Sequence, residues 1–107
     1  MEGKNILKGL NFQEVPSPSF IINIQALEEN LQVLKKVQDE SGCKILLALK
    51  GFAMWSLFPF MKKYLHGVCA SSPDEARLGF EEFKGEVHSY SVAYSKENFK
   101  EYLTYSD

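Results

Sequence analysis

Lys50 has the most pointed setting for chemistry in this chain: it closes a run of five apolar residues, Ile45 to Leu49, that Lys44 opens. A lysine at the end of such a run can have its ammonium partly desolvated, which exposes a nucleophilic amine suited to imine formation. The plainer alternative is a solvated lysine that closes a strand, since lysine seldom stays buried without a partner. His66 and His88 lack the partner spacing of a metal site or an activated nucleophile, which makes both structural. Cys43 and Cys69 match no zinc or redox spacing and read as reduced structural thiols.

The elements that must position Lys50 follow from apolar periodicity. Residues 1–17 form a lead-in, with Pro16 and then Pro18 forcing an extended entry into residues 18–107. The run from Ser19 to Asn23 reads as a short buried strand. Asn23 then caps a helix whose inward face is Leu27, Leu31 and Leu34, flanked by Val33 and Val37, and which Ser41 and Gly42 end. Lys44 to Lys50 reads as a strand buried on both faces. Phe52 to Leu65 looks helical through Trp55, Phe58 and Met61, although Pro59 should kink or split it, and Gly67 closes that unit.

Val68 to Ser71 is the next short strand, and the residues after it carry a helix-start signal. Ser72 caps, Pro73 takes the first helical position and Glu75 reaches back to the cap amide. Ala76, Leu78, Gly79 and Phe83 complete that helix before Gly85 breaks it. Residues 86–91 alternate as a third strand of this series, and Ser95 caps a last helix holding Phe99, Tyr102 and Leu103.

Regular alternation of strands and helices with short connections is the pattern of right-handed units on a parallel sheet, so the fold class is α/β, as a barrel or a doubly wound sheet. In a parallel barrel the ligand site lies at the C-terminal ends of the strands. Lys50, the pair Ser71 and Ser72, and Ser91 all fall at such ends. An eight-stranded barrel takes about 250 residues, so 107 residues would supply fewer than half of its units, leaving an incomplete barrel with an apolar strand at each edge.

Composition narrows the partners. A net charge of −2, with both signs interspersed, offers no basic stripe for a nucleic-acid backbone. The chain has no run of about 18 apolar residues and no signal-peptide core, so the expectation is a cytoplasmic protein without a membrane partner.

Three stretches carry a family resemblance. Residues 47–55 (LALKGFAMW) resemble the segment around the cofactor lysine of carboxynorspermidine and carboxyspermidine decarboxylases. Residues 70–79 (ASSPDEARLG) and 85–94 (GEVHSYSVAY) resemble the next two motifs of that group in the same order and spacing. The resemblance implies a fold-type III enzyme dependent on pyridoxal 5'-phosphate, with an alanine-racemase-like (β/α)8 barrel and a separate β domain. It implies that residues 18–107 are the N-terminal portion of that barrel. Its activity would be decarboxylation of a carboxylated polyamine in norspermidine or spermidine biosynthesis, with active sites built between the subunits of a homodimer.

Within the resemblance, Lys50 matches the catalytic lysine that binds the cofactor. Ser71, Ser72 and Ser91 match positions that line the cofactor ring, although a helix cap explains Ser72 and a loop hydroxyl explains Ser91 without any cofactor. Glu75 fits the family's acidic position, and the capping box explains it equally well. Phe52 and Trp55 would flank the cofactor end of the strand, or pack in the core. Val92 departs from the proline that related sequences carry there. The glycine-rich loop that would hold the cofactor phosphate, the histidine that would stack on the ring and the acidic partner of the pyridine nitrogen are not among these residues. A chain without catalysis that acts as a binding or assembly piece, or a cofactor-carrier barrel, are the alternative readings.

Overall fold

Three short parallel strands form the centre of the computed structural model, which describes residues 8–107. The first seven residues of the expected lead-in lie outside the described residues. After a 3-10 turn at Phe12–Glu14, α1 spans Ile24–Ser41, β1 Leu46–Ala48, α2 Phe58–Met61, β2 Gly67–Ala70, α3 Pro73–Leu78, β3 Glu86–Ser89 and α4 Lys96–Tyr105. The sheet order is β1-β2-β3, with Leu47 opposite Val68 and Val68 opposite Val87. The fold is thus α/β with a parallel sheet, as the alternation predicts.

Local chemistry accounts for most boundaries. The Asn23 side chain accepts from the Ala26 N–H at 2.9 Å, and Gly42 takes the left-handed conformation at φ 72° that ends α1. Ser95 caps α4 by accepting from the Asn98 N–H at 3.1 Å. Gln38 then ties α1 to the sheet, because its amide oxygen accepts from the Ile45 N–H at 2.7 Å while its amide nitrogen donates to the Tyr64 carbonyl at 2.6 Å.

The core lies on one face of the sheet only. Strand residues alternate sides, and the covered side carries Leu47, Leu49, Val68, Ala70 and Val87. Phe58, Met61, Leu65, Ala76, Phe83 and Tyr102 pack there, with the Phe58 and Phe83 rings edge to face at 5.5 Å. On the opposite side, with Ala48, Cys69 and His88, no helix of the described residues packs: Ala48 and His88 are exposed and Cys69 is half-buried. The expectation that Lys44 to Lys50 is buried on both faces is therefore corrected.

Other expectations are corrected too. Ser19 to Asn23 forms no strand, and Phe20 is 94% exposed, because among the described residues no strand pairs with the outer edge of β1. Residues 52–65 do not form one helix. A 3-10 turn at Trp55–Leu57 leads into the single turn α2, and Pro59 stands at the start of that turn, where its missing N–H costs nothing. Of the expected α1 face only Leu31 is fully buried, with Leu27 half-buried and Val33, Leu34 and Val37 exposed.

Gly67 does not close a helix. It opens β2 where a side chain would collide with β3, since a Cβ there would sit 2.2 Å from the Glu86 carbonyl oxygen. α3 widens into a π-type turn at Gly79–Phe83, and Lys84, rather than Gly85, takes the left-handed conformation that ends it. Nor is the outer edge of β3 bare. The Asp107 N–H donates to the Val87 carbonyl at 2.9 Å, and the Asp107 carboxylate accepts from the Val87 N–H at 2.8 Å. No described helix is long and apolar enough to cross a membrane.

Candidate active site

A parallel sheet places the C-terminal ends of all its strands on one edge, and here that edge gathers the predicted residues. Leu49 donates to the Cys69 carbonyl at 3.1 Å in the last bond between β1 and β2. The chain then turns, with the Gly51 and Phe52 N–H groups both donating to the Ala48 carbonyl at 3.0 and 3.2 Å. Lys50 sits at the head of that turn. Leu49 is buried, whereas the Lys50 side chain is exposed. It makes no hydrogen bond or ion pair with any described residue. The expected partial desolvation is thus absent from this structure, where Lys50 is exposed.

Ser71 and Ser72 follow directly on β2, and both are half-buried. Ser72 is the cap of α3 and accepts from the Glu75 N–H at 3.2 Å. The Glu75 carboxylate accepts from the Ser71 N–H at 2.6 Å, so it reaches one residue beyond the cap amide that the sequence implies. Ser91 lies two residues past β3, where its hydroxyl donates to the Ala93 carbonyl at 2.7 Å and its N–H donates to the Tyr94 hydroxyl at 2.9 Å. Burial pushes the Tyr102 phenol up from its ordinary value, while a hydrogen bond with the Ser91 side chain opposes that shift.

The aromatic flanks divide. Phe52 is half-buried and packs against the core, whereas Trp55 is 61% exposed. A small apolar cavity of about 240 Å³ lies beside the Lys50 turn, lined by Phe20, Ile22, Gly51, Phe52, Ala53 and Met54.

The opposite, N-terminal edge of the sheet holds a cluster that spacing did not reveal. Glu86 Oε1 accepts from Lys44 Nζ at 2.5 Å and faces His66 Nε2 at 2.7 Å, while Oε2 faces His88 Nε2 at 2.9 Å. Lys44 and His66, which precede β1 and β2, and His88 within β3 thus converge on one carboxylate. His66 first, then Lys44 and His88, hold the Glu86 carboxyl down at about 2. The two histidines share the Glu86 carboxylate as partner. The available signal was the Glu86 and His88 pair, two apart and so on one strand face. Among the described residues no group of His, Cys, Asp and Glu is arranged to hold a metal ion.

No family model matches the chain. A carboxynorspermidine/carboxyspermidine decarboxylase of Herminiimonas arsenicoxydans is 43% identical over 93 residues, covering 87% of this chain and 26% of that protein. A carboxyaminopropylagmatine decarboxylase of Synechocystis sp. is 41% identical over 90 residues, covering 84% of this chain and 23% of that protein. Among solved structures, the carboxynorspermidine decarboxylase of Campylobacter jejuni, in complex with norspermidine, superposes with a TM-score of 0.74 at 35% identity over 77% of this chain and 22% of its own. The chain spans about a quarter of the length of these relatives. Agreement of sequence and backbone over most of its residues makes this chain a homologue of the carboxynorspermidine/carboxyspermidine decarboxylases.

Proposed function

We propose that this chain carries the cofactor lysine of a pyridoxal-phosphate-dependent decarboxylase acting on a carboxylated polyamine, with Lys50 as that lysine. The observation that supports the reading most is the single edge of the parallel sheet on which Lys50, Ser71, Ser72 and Ser91 stand together. The donor set fits an aldehyde cofactor: an exposed primary amine without a partner among the described residues, just past the end of β1, with hydroxyl groups past the ends of the two neighbouring strands. When bound, pyridoxal phosphate supplies an electron sink for the electron pair left as carbon dioxide departs.

The protein's own contributions can be assigned residue by residue. Lys50 would provide the amine that holds the cofactor. Ser71 and Ser91 would line the cofactor from the neighbouring strand ends, and Ser72 caps the helix that follows Ser71. The open side of the sheet becomes the inside of a (β/α)8 barrel once further strands close it, and closure removes water from around Lys50. The homodimer and the cytoplasmic location belong to the same reading, as does the choice between norspermidine and spermidine chemistry.

The test is site-selective labelling. The chain is incubated with pyridoxal phosphate, reduced with borohydride and mapped by peptide mass. Lys50 should take up the pyridoxyl group several-fold more readily than the exposed Lys35, Lys36 or Lys63, and Lys50→Ala should abolish the selective component. Labelling spread evenly over the exposed lysines would refute the assignment.

The alternative, a binding or assembly piece without catalysis, draws on the open side of the sheet. It is favoured if the chain labels evenly and associates with itself or another polypeptide.

A further inference from the structure

Glu75 occupies a position that helix capping explains only in part. In a capping box the acidic side chain at the third helical position returns to the N–H of the cap residue itself. Here that residue is Ser72, yet the Glu75 carboxylate accepts from the N–H of Ser71, at 2.6 Å. Ser71 is the first residue beyond β2 and stands on the edge that carries Lys50.

The reason lies in the strand ladder. Cys69 turns its carbonyl toward β1, where Leu49 donates to it, and alternation turns the Ser71 N–H the same way. By then β1 has ended: directly after the Leu49 bond the chain turns at residues 49–51, so β1 has no further strand residue beside Ser71. The Ser71 amide has therefore lost the strand that would have held it, and the half-buried Glu75 carboxylate takes that place. Its charge makes this a short, strong hydrogen bond.

We propose that Glu75 is a positioning residue, which clamps the Ser71 amide and thereby directs the Ser71 hydroxyl toward a cofactor held on Lys50. The inference rests on the functional reading above. It assigns Glu75 a task that an ordinary cap lacks, because a helix start needs only the bond between the Ser72 hydroxyl and the Glu75 N–H.

The experiment compares two aldehydes on the same amine. Wild-type chain, Glu75→Ala, Glu75→Gln and Glu75→Asp are each labelled with pyridoxal phosphate and borohydride, and separately methylated with formaldehyde and cyanoborohydride, and Lys50 occupancy is read by mass. Glu75→Ala should lower pyridoxyl labelling of Lys50 several-fold and leave methylation unchanged, since formaldehyde makes no contact with Ser71. Glu75→Gln keeps an acceptor of the same reach and should recover most of the labelling, whereas the shorter Glu75→Asp should not. Should Glu75→Ala fail to fold, the Gln and Asp pair decides by the same pattern. Parallel loss with both aldehydes, or no loss with either, overturns the proposal while leaving Lys50 in place. A wild-type chain without selective labelling at Lys50 removes both the proposal and the functional reading beneath it.

Discussion

Glu86 shows how far one carboxylate can be shifted by its neighbours. With His66, Lys44 and His88 around it, its carboxyl titrates at about 2 in the folded chain, against 4.5 as its ordinary value. A folded value below the unfolded one means that the stabilisation is complete above about pH 4.5 and is lost as the pH falls through about 2. Acid titration followed by circular dichroism should therefore show the wild type losing stability across this window, while Glu86→Gln loses less because its stability is already lower at neutral pH. The two should converge below pH 2, and added salt should narrow the gap, since the cluster is open to solvent. Identical curves for both proteins would show that the cluster contributes nothing to folding.

Among the elements, two contacts decide how the covered face is built. Phe58 and Phe83 are fully buried and meet edge to face, so Phe58→Ala should cost about 3–5 kcal/mol. That is comparable with the whole stability of a small domain, and thermal unfolding should find the variant largely unfolded at ambient temperature. Gly67→Ala acts on the sheet itself, because the new methyl group would sit 2.2 Å from the Glu86 carbonyl oxygen and push β3 from β2. A loss of about 1–3 kcal/mol by denaturant titration is expected, as for other overpacked sites. A midpoint equal to wild type would mean that the two strands can separate there without penalty. Ser72→Ala should be milder, about 1 kcal/mol, through loss of the α3 cap.

The whole molecule is more open than its length requires. Its radius of gyration is 16.4 Å, whereas a compact domain of this size has about 13 Å. Among the described residues one side of the sheet has no layer over it, and β1 ends the sheet with an unpaired edge. On the other edge, Asp107 satisfies both outward backbone groups of Val87. Edges blocked in this way resist strand addition. Asp107→Ala should therefore raise self-association relative to the wild type, read by sedimentation velocity over a concentration series. Equal association would show that the β1 edge and the open side, not β3, govern contacts between copies.

The sequence by itself determined the helix starts at Asn23, Ser72 and Ser95, the end of α1 at Gly42 and the alternation that makes the sheet parallel. These depend on interactions within a few residues, which local pattern records. It also placed Lys50, Ser71, Ser72 and Ser91 on one edge, since a parallel sheet leaves no other place for strand ends. Only the tertiary structure decided which side of each strand is covered, because an apolar run such as Ile45 to Leu49 looks the same whether one face or two are packed. It alone showed that Ser19 to Asn23 pairs with no strand, that Gly67 is required by the approach of Glu86, and that His66, His88 and Lys44 share a carboxylate. Each of these joins residues far apart in the chain, and such proximity exists only once the strands lie side by side.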